Sequence, residues 1–203
     1  MYSVKSGLVL AFHGCDRSIA QKVLNGETML KSSTNTYDWL GHGVYFWENS
    51  PARALEFAEH LQQNPQKSKG EIVEPAVIGA VIHLGFCLDL LDYGNLQLLK
   101  ECYDTLLRYN NTSYLPQNKE VKGMKGLLLR ELDCAVIETM HTLREVYQQP
   151  PFDSIRAVFS EGEELYPNAG FREKDHIQIC VRNPNCIKGF FLPRTLNSDY
   201  PKV

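Results

Sequence analysis

The sequence has no apolar run approaching the roughly 20 residues of a membrane span. Its start, "MYSVKSGLVLAFHGCD", has too short an apolar stretch, and no small-residue cleavage site, for a signal peptide. Both features lead to the expectation of a soluble, cytoplasmic protein with no membrane partner. An excess of charge is missing too. Against 21 Lys and Arg stand 24 Asp and Glu, a net charge of -3. That excludes holding nucleic acid by bulk electrostatics but leaves room for a small local patch. The six cysteines (Cys15, Cys87, Cys102, Cys134, Cys180, Cys186) form no Cys-x-x-Cys pair, and no paired histidines stand at zinc spacing. No metal is therefore expected, and the thiols read as reduced and buried. Cys15 lies beside His13 and Gly14, but near neighbours on a strand end point in different directions, which is poor geometry for a Cys–His nucleophile. Internal repeats and low-complexity tracts are absent as well.

What remains is an ordinary globular composition, 43% hydrophobic and 22% charged over 203 residues, enough for one domain with a real core. "SGLVLAFHG" reads as a buried strand with His13 at its end. "DRSIAQKVLNGE" reads as a short helix, with Asp16 as N-cap, Gly26 as stop, and Ile19, Val23 and Leu24 on one face. After the polar loop "KSSTNTYD" comes a strand, "GVYFW". A helix follows in "NSPARALEFAEHLQQ", with Ser50 at the N-cap, Pro51 in the first turn, and Leu55, Ala58 and Leu61 along one side.

Residues 63–71 read as a surface linker, and 76–84 as a strand. Two helical patterns then carry Leu96, Leu99, Tyr103, Leu106 and Leu107, and Leu128, Leu132, Ala135, Val136 and Leu143, separated by a polar loop. Three strands close the chain: "SIRAVF", "HIQICV" and "IKGFFL". The expected fold class is α+β: a single domain over 1–203, strands gathered at both ends, and a helical insertion at about 92–150.

"FHG" at 12–14 and "GHGVYFWENSPARALEFA" at 41–58, about thirty residues apart, resemble the catalytic domain of the ADP-ribosyltransferases, on the poly(ADP-ribose) polymerase and diphtheria-toxin side of that superfamily. Gly41, Gly43, Val44, Tyr45 and Phe46 stand where the family reads Gly-x-Gly-Ile-Tyr-Phe. The resemblance is sharp over 8–58, weaker over 153–193 and absent from 65–150. It implies an ADP-ribosyltransferase-like split β-sheet with an NAD-binding cleft, and transfer of ADP-ribose from NAD with release of nicotinamide. It also implies roles. Gly14 would hold the nicotinamide carboxamide through its backbone N–H and C=O, being small enough for close approach. His13 would bond a hydroxyl of the adenosine ribose. Tyr45 would pack on the nicotinamide ring, with Phe57 as the second ring. His42 and Trp47 read as scaffold, and Asp38, beside Tyr37 and Trp39 at the rim of the cleft, as the cap of a turn.

The family's late-strand glutamate, which bonds the nicotinamide ribose, corresponds here to Gln178. Strand alternation assigns Ile177, Ile179 and Val181 to a core face, and His176, Gln178, Cys180 and Arg182 to the cleft. Gln178 brings no negative charge to an oxocarbenium-like transition state, so Glu161, Glu163 and Glu164, with Glu173 and Asp175 nearby, are candidates for an acceptor loop or a substitute carboxylate. Among them Glu161 directly follows a strand and is the one expected to point inward, whereas Glu163 and Glu164 read as solvated. The arginine-modifying branch is excluded by the missing Glu-x-Glu and Ser-Thr-Ser motifs. Too few arginines in the cleft segments argue against a tRNA 2′-phosphotransferase.

The implied activity is mono-ADP-ribosyl transfer, with catalytic His13, Tyr45 and Gln178, NAD as co-substrate and an accompanying NAD glycohydrolase activity. The alternative is a weak or inactive module that binds NAD or ADP-ribose. The sequence does not identify the acceptor, protein or nucleic acid, or any inhibitory partner. Lys119, Lys122 and Lys125 form a small basic patch, or simply a surface loop.

Overall fold

Hydrophobic side chains alternate along the strands so that the sheet buries both faces. In the computed structural model, which describes residues 7–67, 70–109, 115–121 and 126–201, the elements run β1 (Val9–Asp16), α1 (Arg17–Leu24), β2 (Val44–Glu48), α2 (Pro51–Gln63), a 3-10 turn at Pro65–Lys67, β3 (Pro75–Ile82) and β4 (Cys87–Asp89). They continue with α3 (Tyr93–Tyr109), β5 (Asn118–Glu120), β6 (Leu127–Arg130), α4 (Glu131–Val146), β7 (Ser154–Phe159), β8 (His176–Val181), a 3-10 turn at Pro184–Cys186 and β9 (Ile187–Phe191). Seven strands form one mixed sheet in the order β4-β7-β8-β2-β1-β3-β9, antiparallel except for β4 with β7, and β5 and β6 form a separate hairpin. The fold is α+β, with the first three strands and the last three interleaved in one sheet.

On one face Ala11, Val44, Phe46, Ile78 and Ile179 pack with Ala20 and Val23 of α1. On the other, Ile155, Ala157 and Cys180 meet Cys102 of α3 and Val136, Ile137 and Met140 of α4. Phe12 and Trp47 lie on that second face further along, against Ala54 of α2. The expected cleft face of β8 is thus partly core: Cys180 is fully buried under the α3–α4 pair, because these helices pack onto the sheet instead of standing apart from it.

Several local expectations change for physical reasons. β1 runs three residues past His13, to Asp16, whose carboxylate accepts the hydroxyl and N–H of Ser18 and the N–H groups of Val73 and Glu74. These bonds, the Ser18 side chain's first, hold its carboxyl down at about 2. Ala20 and Val23 face the core from α1 while Ile19 is exposed. In α2 the buried positions are Ala54 and Ala58, with Leu55 turned outward and no side-chain bond from Ser50. Small side chains there let the helix lie close on the sheet. Leu127–Arg130 forms a strand instead of the first turn of α4, and β5 interrupts the expected loop before it.

His141 on α4 is buried edge-on to Phe152, and its Nε2 has no hydrogen-bond partner. Burial, with Arg182 and Arg144 nearby and opposed by Glu138, pushes its pKa to about 4. In the unfolded chain a histidine titrates near 6.5. The folded value is depressed, so stability is full above about 6.5 and falls as the unfolded chain takes up the proton. Urea unfolding should show the wild type losing about 2 kcal/mol from this group between pH 7 and pH 5. His141→Leu should flatten that part of the slope; an unchanged slope would refute the assignment.

Candidate functional site

His13 and Tyr45 meet through the backbone, and their side chains leave opposite faces of the sheet. The His13 ring lies edge-on to Phe46 on the α1 side, ring centroids 5.8 Å apart, whereas Tyr45 packs into the core beneath α3 and α4. The connection is His13 Nδ1, which donates to the carbonyl of Tyr45 at 2.8 Å. That bond requires a proton on Nδ1 and leaves Nε2 as an acceptor in the neutral ring. Burial lowers the pKa of His13, which favours that neutral form.

The consequence falls on Gly14. Leu10 accepts from Asn49 at 3.0 Å, and Phe12 pairs with Trp47, so even-numbered residues of β1 direct their peptide groups toward β2. Odd-numbered residues turn toward β3, as Arg17 does in donating to Glu74. The β1–β2 ladder stops at Phe12 and Trp47. Gly14, next in that series, would have paired with Tyr45, but the Tyr45 carbonyl is taken by His13. Gly14 is thus the first residue of that series beyond the β1–β2 ladder, while on its other edge it keeps its register with Val77 of β3. On its other side Gly14 lies hard against α2: an added Cβ would sit 2.0 Å from the Ala54 carbonyl oxygen and 3.2 Å from the Ala58 Cβ.

The Tyr45 phenol is committed to its own turn. It donates to the Gly41 carbonyl at 2.8 Å and accepts from the Leu40 N–H at 3.0 Å. Burial pushes its pKa well above the ordinary tyrosine value. Gly41 holds a φ of 75°, a conformation natural to glycine. Asp38 caps this turn by accepting the Asn35 N–H at 2.7 Å, and Gly43 exchanges backbone bonds with Ser33. Glu138 of α4 accepts the His42 N–H at 2.8 Å and pairs with Arg182, which is thereby drawn to the turn. Nothing in the local sequence pointed to Glu138, which is ninety-six residues from His42.

Gln178 lies opposite Trp47 in the β2–β8 ladder, on the same face as Tyr45. Its Oε1 accepts from Trp39 Nε1 at 2.7 Å. Phe57 packs on Trp47, centroids 5.0 Å apart, and belongs to the small cluster with Phe12 and Ala54. The tryptophan read as scaffold thus stands between β2 and the expected second ring. Glu161 points inward and is bound by Arg53 of α2, Nη2 to Oε2 2.6 Å, with both side chains largely buried. Glu163 and Glu164 are exposed, and Glu164 accepts the Asn168 N–H. Asp175 accepts from Ser160, and Glu173 is exposed.

Around Gln178 three buried polar atoms lack hydrogen-bond partners: Trp47 Nε1, Arg53 Nε and His176 Nε2. They belong to one cluster, since Arg53 lies 6.0 Å from the Trp47 ring and His176 6.1 Å from it. His176 Nδ1 donates to the Lys174 carbonyl, so its neutral ring offers Nε2 as an acceptor beside two N–H donors. The sequence marked His176 only by strand alternation, and Arg53 not at all.

All six cysteines are buried and none is in a disulfide, and burial raises the Cys15 thiol to about 11, which disfavours a thiolate nucleophile there. Among the described residues, no three or more His, Cys, Asp or Glu side chains stand together as a metal-binding group. Among the described residues, no helix is long and apolar enough to cross a membrane. Lys119 pairs with Glu131; Lys122 and Lys125 lie outside the described residues.

Fold and site together define an α+β protein with a seven-stranded mixed sheet, a β1–β2 ladder that ends just before Gly14 and Tyr45, and a buried polar cluster near Gln178. The chain is similar to the uncharacterized protein MJ0359 of Methanocaldococcus jannaschii, 26% identical over 193 residues, which covers 87% of this chain and 83% of that protein. No protein-family model and no solved structure matches the chain.

Proposed function

We propose that the chain is an NAD-dependent mono-ADP-ribosyltransferase with an ADP-ribosyltransferase-like split sheet, transferring ADP-ribose to a protein or nucleic-acid acceptor and releasing nicotinamide. The observation that carries this reading is the end of the β1–β2 ladder at Phe12 and Trp47, one bonded pair short of Gly14 and Tyr45, with His13 on the Tyr45 carbonyl. A carboxamide needs one donor and one acceptor side by side, and an unpaired strand peptide offers both. His13, neutral and with Nε2 free to accept, suits a ribose hydroxyl. Gln178 and the unpartnered Trp47, Arg53 and His176 atoms supply further polar contacts on the Tyr45 face. NAD brings the glycosidic bond that is broken. The protein's part is to hold the two ends of the molecule and to favour the positive charge that develops at the ribose. The buried thiols accord with a cytoplasmic setting.

A second reading, a module that binds NAD or ADP-ribose with little or no turnover, is favoured by a specific observation. The neutral Gln178 is held by Trp39, Glu161 is neutralised by Arg53, and α2 lies against Gly14. The two readings separate on nicotinamide release from labelled NAD, assayed with pools of protein and nucleic acid. Gln178→Glu should keep NAD binding and raise release on the order of tenfold or more, because a carboxylate adds charge where a donor from Trp39 already points. Glu161→Ala should leave release within a few-fold, since its charge is already offset by Arg53. Loss of all turnover in Glu161→Ala, with release lowered by Gln178→Glu, would assign the carboxylate role to Glu161 instead. Binding without release in both the wild type and Gln178→Glu would establish the second reading.

A further inference from the structure

A cavity of about 460 Å³ opens between α3, α4 and β7, and Trp39, whose Nε1 bonds Gln178, forms part of its wall. That volume lies within the range of small-molecule sites, roughly 300–1,000 Å³. Its walls are mainly apolar, from Trp39, Leu90, Leu96, Leu99, Val136 and Ile137, and its charged groups are Lys100, Arg130 and Asp133. Lys100 is exposed and already paired with Asp104 at 2.7 Å.

Arg130 is in a different position. Its guanidinium carbon lies 4.8 Å from the Trp39 ring centre and 4.4 Å from that of Phe159, and the two rings, 4.9 Å apart, pack together on one side of the group and cover it there. Its Nε donates to the Leu127 carbonyl at 2.8 Å. Its carboxylate neighbour is Asp133 at 3.8 Å, beyond hydrogen-bond distance. A shielded cation on the wall of an apolar cavity, with its Nη atoms lacking a close acceptor among the described residues, calls for an anionic oxygen from outside the chain.

We propose that this cavity is a binding site for a small amphipathic anion, an aryl carboxylate or sulfonate. The ring would pack among Leu96, Leu99 and Trp39, and the anionic oxygens would bond Arg130. The site is separate from the proposed NAD site and does not depend on that reading, although Trp39, shared between cavity wall and Gln178, would feel the ligand.

The test uses the full chain and the probe 8-anilinonaphthalene-1-sulfonate, whose fluorescence rises on entering an apolar site, beside its uncharged analogue N-phenyl-1-naphthylamine. Expected results are saturable binding of the sulfonate at one site per chain, unaffected by NAD, and affinity at least tenfold above that of the neutral analogue. Arg130→Met should remove that advantage while leaving the neutral analogue unchanged, and Leu99→Trp, which fills the cavity, should abolish binding of both. Near-UV circular dichroism checks that each variant is folded. Non-saturable binding to the wild type, equal affinity for the two probes, or full sulfonate affinity in folded Arg130→Met or Leu99→Trp would overturn the proposal. The comparison of probes on the wild type decides the matter even if a variant fails to fold.

Discussion

Arg156→Met is expected to destabilise the protein by about 3–5 kcal/mol, a large part of the 5–15 kcal/mol that holds an ordinary domain together. Arg156 is buried on β7 and reaches across β8. Its Nε and Nη2 bond both carboxylate oxygens of Glu48 on β2, and its Nη1 lies 3.3 Å from both oxygens of Asp89 on β4. The arginine is held charged above its ordinary range, by the Glu48 bond first. Methionine fills most of the volume but removes the guanidinium that Glu48 and Asp89 share, leaving two carboxylates close together in low dielectric. The loss should register in urea as a lower midpoint at an unchanged slope. Adding Glu48→Gln and Asp89→Asn should recover part of the stability, because it removes the two carboxylate charges that Arg156 had bridged. A variant within 1 kcal/mol of wild type would show that Arg156 does not hold the two carboxylates in solution.

Gly14→Ala should be nearly as damaging, and for a steric reason. The new methyl would stand 2.0 Å from the Ala54 carbonyl oxygen, which is backbone in the second turn of α2 and has no rotamer to yield. The helix must move as a body, and overpacking of this kind costs typically 1–3 kcal/mol, here at the upper end or above. Gly189→Ala on β9 is the control: a Cβ there meets nothing within 4 Å, so that variant should be neutral or slightly more stable. Thermal unfolding of the pair makes the comparison, and equal midpoints would show that α2 does not lie on Gly14. If Gly14→Ala remains folded at low temperature, NAD binding measured there should also fall, because the displaced helix carries Arg53 and Phe57.

Much of the fold was legible because local rules and tertiary demands agree. The strands at 44–48, 154–159, 176–181 and 187–191 announce themselves by β-branched and aromatic residues bounded by turn-formers, and α2 begins where Ser50 and Pro51 mark it. β4, β5 and β6 were not legible. Each has three or four residues, too few for a period to emerge, and each exists because a partner supplies its ladder: β7 for β4, and β5 and β6 for each other. In α2 the pattern marked Leu55, Ala58 and Leu61; Ala58 is buried, but its companion is Ala54 and not Leu55, since alanines are what a helix resting directly on Gly14 can accommodate.

The sequence by itself determined the order of the four helices and the longer strands, the α+β class, the alternation that puts Gln178 opposite Ile177 and Ile179 on its strand, and the inward aim of Glu161. Periodicity and turn chemistry act between near neighbours, so the linear order carries them. Only the tertiary structure decided what each of those side chains meets. His13 bonds the Tyr45 carbonyl, the Tyr45 phenol turns back on Gly41, Arg53 takes Glu161, and Arg130 comes to rest against the paired rings of Trp39 and Phe159. These partners come from elements far apart in the chain, and which donor reaches which acceptor depends on sheet register and helix packing, which no local pattern encodes.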